Sequence, residues 1–257
     1  MAKTFFLGTH EISWLAKTEV PLFISRRRLV LRKKKFPRAL GPWALDSGGF
    51  SEIKEFGKWT VPPEQYVDEV RKWSEAIGNL QWAAIQDWMC EDDMLAKTGL
   101  KVIDHQRLTI ESFLRLRDLA PEVPWVPVLQ GLRRGEHERH IRQYQDAGVD
   151  LTAFATVGVG TMCRRQGEVI ASIILSGLHD ELGDRLHGFG LKKKGLQLAS
   201  RHLHTADSLA WSFSARRERR EMFAQGGETN AQNSIDYALD WRSNLLYKLP
   251  EEWQDVA

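Results

Sequence analysis

Short apolar runs alternate with amphipathic stretches along the chain. Runs suited to β-strands lie at residues 4–7, 21–25, 43–46, 82–87, 125–130, 152–157, 185–189 and 204–207. Helical spacing recurs between several of them. Pro62-Pro63 opens one segment, Tyr66, Val67, Val70, Trp73 and Ile77 form its apolar face, and Gly78 closes it. Val169, Ile170, Ile173, Ile174 and Leu178 form a similar stripe on a segment ending near Gly183. Both stripes are expected to face the core. Strands separated by amphipathic helices pair in parallel, because a helical crossover returns the chain to the same end of the sheet. Eight such units predict an α/β fold, a (β/α)8 TIM barrel.

The length of 257 residues suits such a barrel as a single domain over residues 1–257, with a C-terminal helix at about 234–247. With 42% hydrophobic and 27% charged residues, the composition is that of a soluble globular protein. No run approaches the roughly 18 apolar residues of a membrane span, and the apolar part of the N-terminus is too short for a signal peptide. A cytoplasmic protein without a membrane partner is expected. Cys90 and Cys163 form no close pair, so no disulfide framework and no C-x-x-C metal or redox motif can be written. The net charge of +2, from 36 Lys+Arg against 34 Asp+Glu, hides an uneven distribution. Basic clusters stand at Arg26-Arg27-Arg28, Lys33-Lys34-Lys35, Lys192-Lys193-Lys194 and around Arg216 and Arg217, a pattern that fits a polyanion footprint.

In a barrel of this kind, functional side chains sit at the C-terminal ends of the strands. The residues at those ends are His10, Arg26, Asp46, Asp87, Gln130, Gly158, His187 with Gly188, and Asp207. Asp46 precedes Ser47-Gly48-Gly49, whose glycines let the backbone turn sharply and approach a ligand. Asp46 and Asp207 on one rim can divide acid/base and nucleophilic work, as in glycosidic cleavage through a covalent sugar intermediate. Asp87 and Gln130 offer directional hydrogen bonds to a planar polar ligand, and Gly131 and Gly158 offer backbone groups at close range.

These motifs are Asp46-Ser47-Gly48-Gly49-Phe50, Ala84-Ile85-Gln86-Asp87-Trp88-Met89-Cys90, Pro127-Val128-Leu129-Gln130-Gly131, Gly158-Val159-Gly160 with Cys163-Arg164-Arg165-Gln166, Leu186-His187-Gly188-Phe189-Gly190 and Ala206-Asp207-Ser208. In this order the chain resembles the tRNA-guanine transglycosylase superfamily, most closely its DNA-acting branch, the deazapurine DNA-modification (DpdA-like) transglycosylases. The resemblance implies that Asp207 is the nucleophile at the anomeric carbon and Asp46 the general acid/base. It also implies a guanine-like base held by Asp87, Gln130, Gly131 and Gly158, with His187 packed against it. Phe50 adjoins the motifs and is a candidate wall for a flipped base. The implied substrate is DNA with a flipped or single-stranded nucleotide, together with a free nucleobase where bases are exchanged. No cofactor is implied.

One departure stands out. Relatives often carry a structural zinc bound by cysteines ahead of a Tyr-Ala-x-x-Trp-Arg helix, and here Ala231 and Ser234 occupy the thiolate positions. The zinc site is therefore expected to be missing, and no other metal site is expected. Without an appended domain, nucleic acid is expected to be held by the βα loops, through Arg164, Arg165, Lys192, Lys193 and Arg216. The leading expectation is exchange of guanine for a 7-deazaguanine derivative in DNA. The alternatives are a hydrolytic DNA glycosylase that leaves abasic sites, for example in anti-phage defence, and a non-catalytic nucleic-acid-binding barrel. A phosphate-ligand enzyme drawing on Gly188-Phe189-Gly190 is a further reading.

Overall fold

A computed structural model describes residues 3–161, 168–224 and 234–254. Nine strands, β1 (Thr4–Thr9), β2 (Leu22–Ser25), β3 (Trp43–Asp46), β4 (Leu80–Ala84), β5 (Trp125–Val126), β6 (Val128–Leu129), β7 (Val157–Val159), β8 (Leu186–Gly188) and β9 (Thr205–Ser208), form one sheet in the order β5-β4-β3-β2-β1-β9-β8-β7-β6. Every pairing is parallel. The helices between them are α1 (Arg26–Val30), α2 (Gly49–Phe56), α3 (Pro63–Ile77), α4 (Asp92–Thr98), α5 (Val102–Leu119), α6 (Arg134–Asp146), α7 (Glu168–Leu182), α8 (Lys193–Ala199) and α9 (Ala210–Ala224), and α10 (Ile235–Leu246) follows. The expected α/β barrel is the observed architecture. Among the described residues, no helix is long and apolar enough to cross a membrane.

The period-two alternation of the strands builds two apolar layers. Phe5 and Leu7 of β1, Leu22 and Ile24 of β2, and Trp43 and Leu45 of β3 pack in the large cluster shared with the helices. Their neighbours Phe6 and Ala44, with Trp82, Ala84 and Val126, fill the barrel interior, and Phe23 packs on them. Helix α3 has its sequence-expected form: Pro62 caps it, Gly78 ends it, and Tyr66, Val67, Val70, Trp73 and Ile77 are buried.

Two expectations are corrected. On α7 the inward face is Ala171, Ile174, Leu175, Leu178 and Leu182, whereas Val169, Ile170 and Ile173 are 61%, 52% and 54% exposed. The helix is apolar around much of its circumference, so the stripe alone does not fix its rotation. Residues 152–156 do not form a strand. Leu151–Ala153 is a 3-10 turn, because the Asp150 carboxylate accepts the Thr152 N–H at 2.8 Å, and β7 begins only at Val157.

The sheet closes through the chain itself. Its two edge strands, β5 and β6, are separated only by Pro127, which has no N–H to give a ladder. The first half of this run pairs with β4 and the second with β7. Pro127 and Leu129 accept the N–H groups of Gly158 and Gly160 on the β7 side. On Val128 the N–H donates to the Tyr144 hydroxyl at 3.3 Å and the carbonyl accepts from it at 3.1 Å. A fully buried side chain of α6 thus stands in for a strand at the seam. Tyr144→Phe keeps the ring and strips both partners. Leaving two buried backbone groups unpaired should cost about 1–3 kcal/mol, read as a lower urea midpoint with an unchanged slope.

Candidate active site

The C-terminal ends of the strands surround a cavity of about 220 Å³. Its wall contains Asp46, Asp87, Glu91 and Asp207, the rings of Phe23, Phe50 and Phe189, and Met89, Gly160, Thr161 and Gly190. Asp46 is the last residue of β3, and the N–H of Gly48 donates to its Oδ1 at 3.1 Å. Gly48 has φ +78, the left-handed region that favours glycine. A side chain on Gly49 would meet Met89 at 2.7 Å and Trp59 at 2.8 Å. Burial holds the Asp46 carboxyl above the usual carboxylate range against the Gly48 and Ser25 hydrogen bonds, and the charge of Asp207 adds to the upward shift.

Asp87 lies past the end of β4, in a loop turned by its own N–H on the Ile85 carbonyl at 3.0 Å. The Trp59 indole donates to the Asp87 carbonyl at 3.0 Å. Its carboxylate accepts from Gln130 Nε2 at 2.5 Å and from the Ser47 hydroxyl at 3.4 Å. Burial, and then the neighbouring charge of Asp46, push its pKa up to about 7 despite the bond from Gln130. The Gln130 amide is fixed at both ends, because the Thr161 hydroxyl donates to its Oε1 at 2.8 Å. Its backbone is held as well. The Gln130 N–H donates to His140 Nδ1 at 2.9 Å, and Gln106 Nε2 donates to the Gln130 carbonyl at 2.7 Å. Burial lowers the His140 pKa to about 3, so the neutral ring offers Nδ1 as an acceptor. Thr161 has φ +60, a costly conformation for a β-branched residue, and its Oγ accepts the Cys90 N–H at 3.2 Å.

Asp207 stands on β9, in register with Phe6 of β1. Its Oδ1 takes the Gly190 N–H at 2.8 Å and faces His187 Nε2 at 3.3 Å. The structure therefore brings Asp46, Asp87, Asp207 and Phe50 to one cavity. Gln130 and His187 are fully buried behind that wall, each against one of its carboxylates. Gly131 and Gly158 do not line the cavity. A side chain on Gly158 would meet the Phe189 ring at 2.5 Å, so that ring covers the strand there. The glycine in the wall is Gly160, two residues on. With Thr161, Phe189, Met89, Glu91 and Phe23, it is a wall residue that the sequence reading missed. The later start of β7 explains the offset. Cys90 is buried, as expected of a small hydrophobe, and burial pushes its thiol up.

Among the expected phosphate contacts, Lys192, Lys193 and Arg216 are exposed. Arg164 and Arg165 lie outside the described residues. Lys193 lies in a second groove, with Glu218, Tyr237 and Asp240, away from the cavity wall. Arg216 lies near His10, whose pKa falls through burial and the charges of Arg28 and Arg216, so a basic group gathers at the end of β1. Arg26 is withdrawn from that group, because it is buried against Glu69 at 2.6 Å and Glu52 at 3.8 Å. At Ser234, one of the two positions expected to lack a zinc thiolate, the hydroxyl caps α10 by accepting the Tyr237 N–H at 3.2 Å. Ala231 lies outside the described residues.

A methyl group on Gly160 would overlap the Gln130 amide. Gly160→Ala should therefore expel that side chain from Asp87 and move the Asp87 pKa further above 7. A 13C carboxyl titration tests this, and an unchanged Asp87 curve in the variant would refute the packing account.

No curated protein matches this chain. One family model does, described as DpdA, DeoxyPurine in DNA protein A, and it matches residues 1–256. That match spans nearly the whole chain and coincides with a parallel barrel whose strand ends gather three aspartates. The chain belongs to the DpdA family, the DNA-acting, tRNA-guanine transglycosylase-like family.

Proposed function

We propose that this protein cleaves the N-glycosidic bond of a nucleobase in DNA through Asp207 and exchanges guanine for a 7-deazaguanine derivative. The reading rests above all on the placement of Asp46 and Asp207 in the wall of one base-sized cavity that Asp87 and three phenylalanine rings also line. At about 220 Å³ the cavity lies below the roughly 300–1,000 Å³ of ordinary ligand pockets. That size suits one flipped base between rings such as Phe50 and Phe189.

In the first step Asp207 Oδ2 bonds to C1′ of the deoxyribose as the bond from C1′ to the base nitrogen breaks. The electron pair leaves with the base, and Asp46 supplies the proton. Burial raises the Asp46 carboxyl above the usual carboxylate range, which favours the protonated form needed for this transfer. In the second step Asp46 takes a proton from the incoming base, whose nitrogen attacks C1′ and releases Asp207. Asp87 accepts from the N–H edge of a guanine-like base, and Gln130 sets the carboxylate's orientation. Arg28 and Arg216, whose charges act on His10, would hold flanking phosphates.

Purified protein with DNA and a labelled 7-deazaguanine should incorporate label and release guanine without abasic sites, and Asp207→Ala should do neither. Release that leaves abasic sites without incorporation would replace exchange by hydrolysis. Binding without release from any DNA would leave a nucleic-acid-binding barrel.

The ionised form of Asp87 is the acceptor, and it predominates above about pH 7. Affinity for the free base should therefore fall as pH drops through 7, toward tenfold per unit (one proton, about 1.36 kcal/mol). Asp87→Asn should bind weakly with a flat profile between about pH 5.5 and 8, measured by calorimetry. A wild-type profile equally flat would remove Asp87 from base recognition.

A further inference from the structure

We propose that His187 is a positioning residue for the Asp207 carboxylate rather than a wall against the base. The proposal rests on the assignment of Asp207 as nucleophile. On β8, His187 is in register with Thr205 of β9, and Thr205 and Asp207, two residues apart on one strand, share a face. The imidazole spans them. Its Nδ1 lies 2.9 Å from the Thr205 hydroxyl and its Nε2 lies 3.3 Å from Asp207 Oδ1. In the neutral ring, a Thr205 hydroxyl that donates to Nδ1 leaves the proton on Nε2, aimed at the carboxylate.

The ring cannot serve the base directly, because it has no solvent-exposed surface and is absent from the cavity wall. Trp82 and Phe189 pack edge-on at 4.7 and 4.6 Å, and Phe23 lies at 5.8 Å. Rings on these sides resist rotation, and a flipped imidazole would present C–H groups to both partners. The second hold on Oδ1 is the Gly190 N–H, delivered by a residue at φ +60. Two donors thus fix Oδ1, and Oδ2 takes no hydrogen bond among the described residues. A carboxylate pinned at one oxygen no longer turns freely about its own bond and keeps the other oxygen for C1′. The Nε2–H also stabilises the carboxylate when it departs from the sugar in the second step.

His187→Phe fills the aromatic cage without the donor, and His187→Gln returns an N–H at similar reach. With DNA in single turnover, His187→Phe should slow formation of the Asp207 adduct roughly 10- to 100-fold. Free-base affinity should stay within about twofold, and His187→Gln should recover most of the rate. Independently of turnover, 15N spectra should show His187 protonated at Nε2, with a resonance that shifts in Asp207→Asn. An unchanged adduct rate in His187→Phe, a parallel loss of base affinity, or an Nε2 signal indifferent to Asp207 overturns the positioning role. Base release by wild-type protein without an Asp207 adduct, with the 15N coupling intact, overturns the nucleophile assignment first and the proposal with it.

Discussion

Three carboxylates gathered at one end of a barrel resist both burial and one another, and much of the surrounding structure is a response to that cost. Desolvation favours the neutral forms of Asp46 and Asp87, and the charge of Asp207 on Asp46 and of Asp46 on Asp87 pushes in the same direction. The answers differ by residue. Asp46 receives one backbone N–H from a glycine turn, Asp87 receives an amide that is itself clamped, and Asp207 receives a backbone N–H beside a caged imidazole. On the proposed mechanism, these unlike environments would let chemically identical groups take separate acid/base, recognition and nucleophilic roles.

Rigidity at this site comes from the layer behind the wall. Gln130 holds Asp87 only because Thr161, His140 and Gln106 hold Gln130. His140 can accept the Gln130 N–H because burial keeps it neutral. A buried polar network of this kind specifies one arrangement when every member is satisfied, and it penalises any substitution that leaves a member unpaired. The strained backbone of Thr161 fits the same logic, since its hydroxyl joins Cys90 and Gln130 from that one conformation.

The fold was largely legible in the sequence because period-two strands and the capped stripe of α3 are local signals. What failed to be legible was set by tertiary partners. The position of β7 depended on Asp150 turning the preceding residues, and the rotation of α7 on which apolar residues met the sheet. The same offset carried into the site. The sequence placed Gly158 in the wall, where the structure has Gly160 and Thr161. Asp46, Asp87, Asp207 and Phe50 were readable because they sit at strand ends or beside them, where barrel geometry alone decides that side chains converge. His187 was singled out from its motif, and the structure places it behind the wall against Asp207. Its orientation was not, because that depends on Thr205, Trp82 and Phe189 from separate strands and loops.

Charge placement also bears on how a DNA nucleotide would enter under the proposed function. The cavity wall carries four carboxylates and, among the described residues, no Lys or Arg, whereas Arg28, Arg216 and Lys192 stand outside it. A phosphate drawn inward would meet the carboxyl groups of Asp46, Asp87, Glu91 and Asp207 rather than a cation. A base with N–H donors meets acceptors there. On the proposed function, this distribution would favour a nucleotide that enters base first with its phosphates at the basic rim. It also bears on the Gly188-Phe189-Gly190 segment, which in a phosphate-binding barrel would offer its amides to the ligand. Here the Gly190 N–H is spent on Asp207, so the loop serves a carboxylate of the protein rather than a phosphate of the substrate.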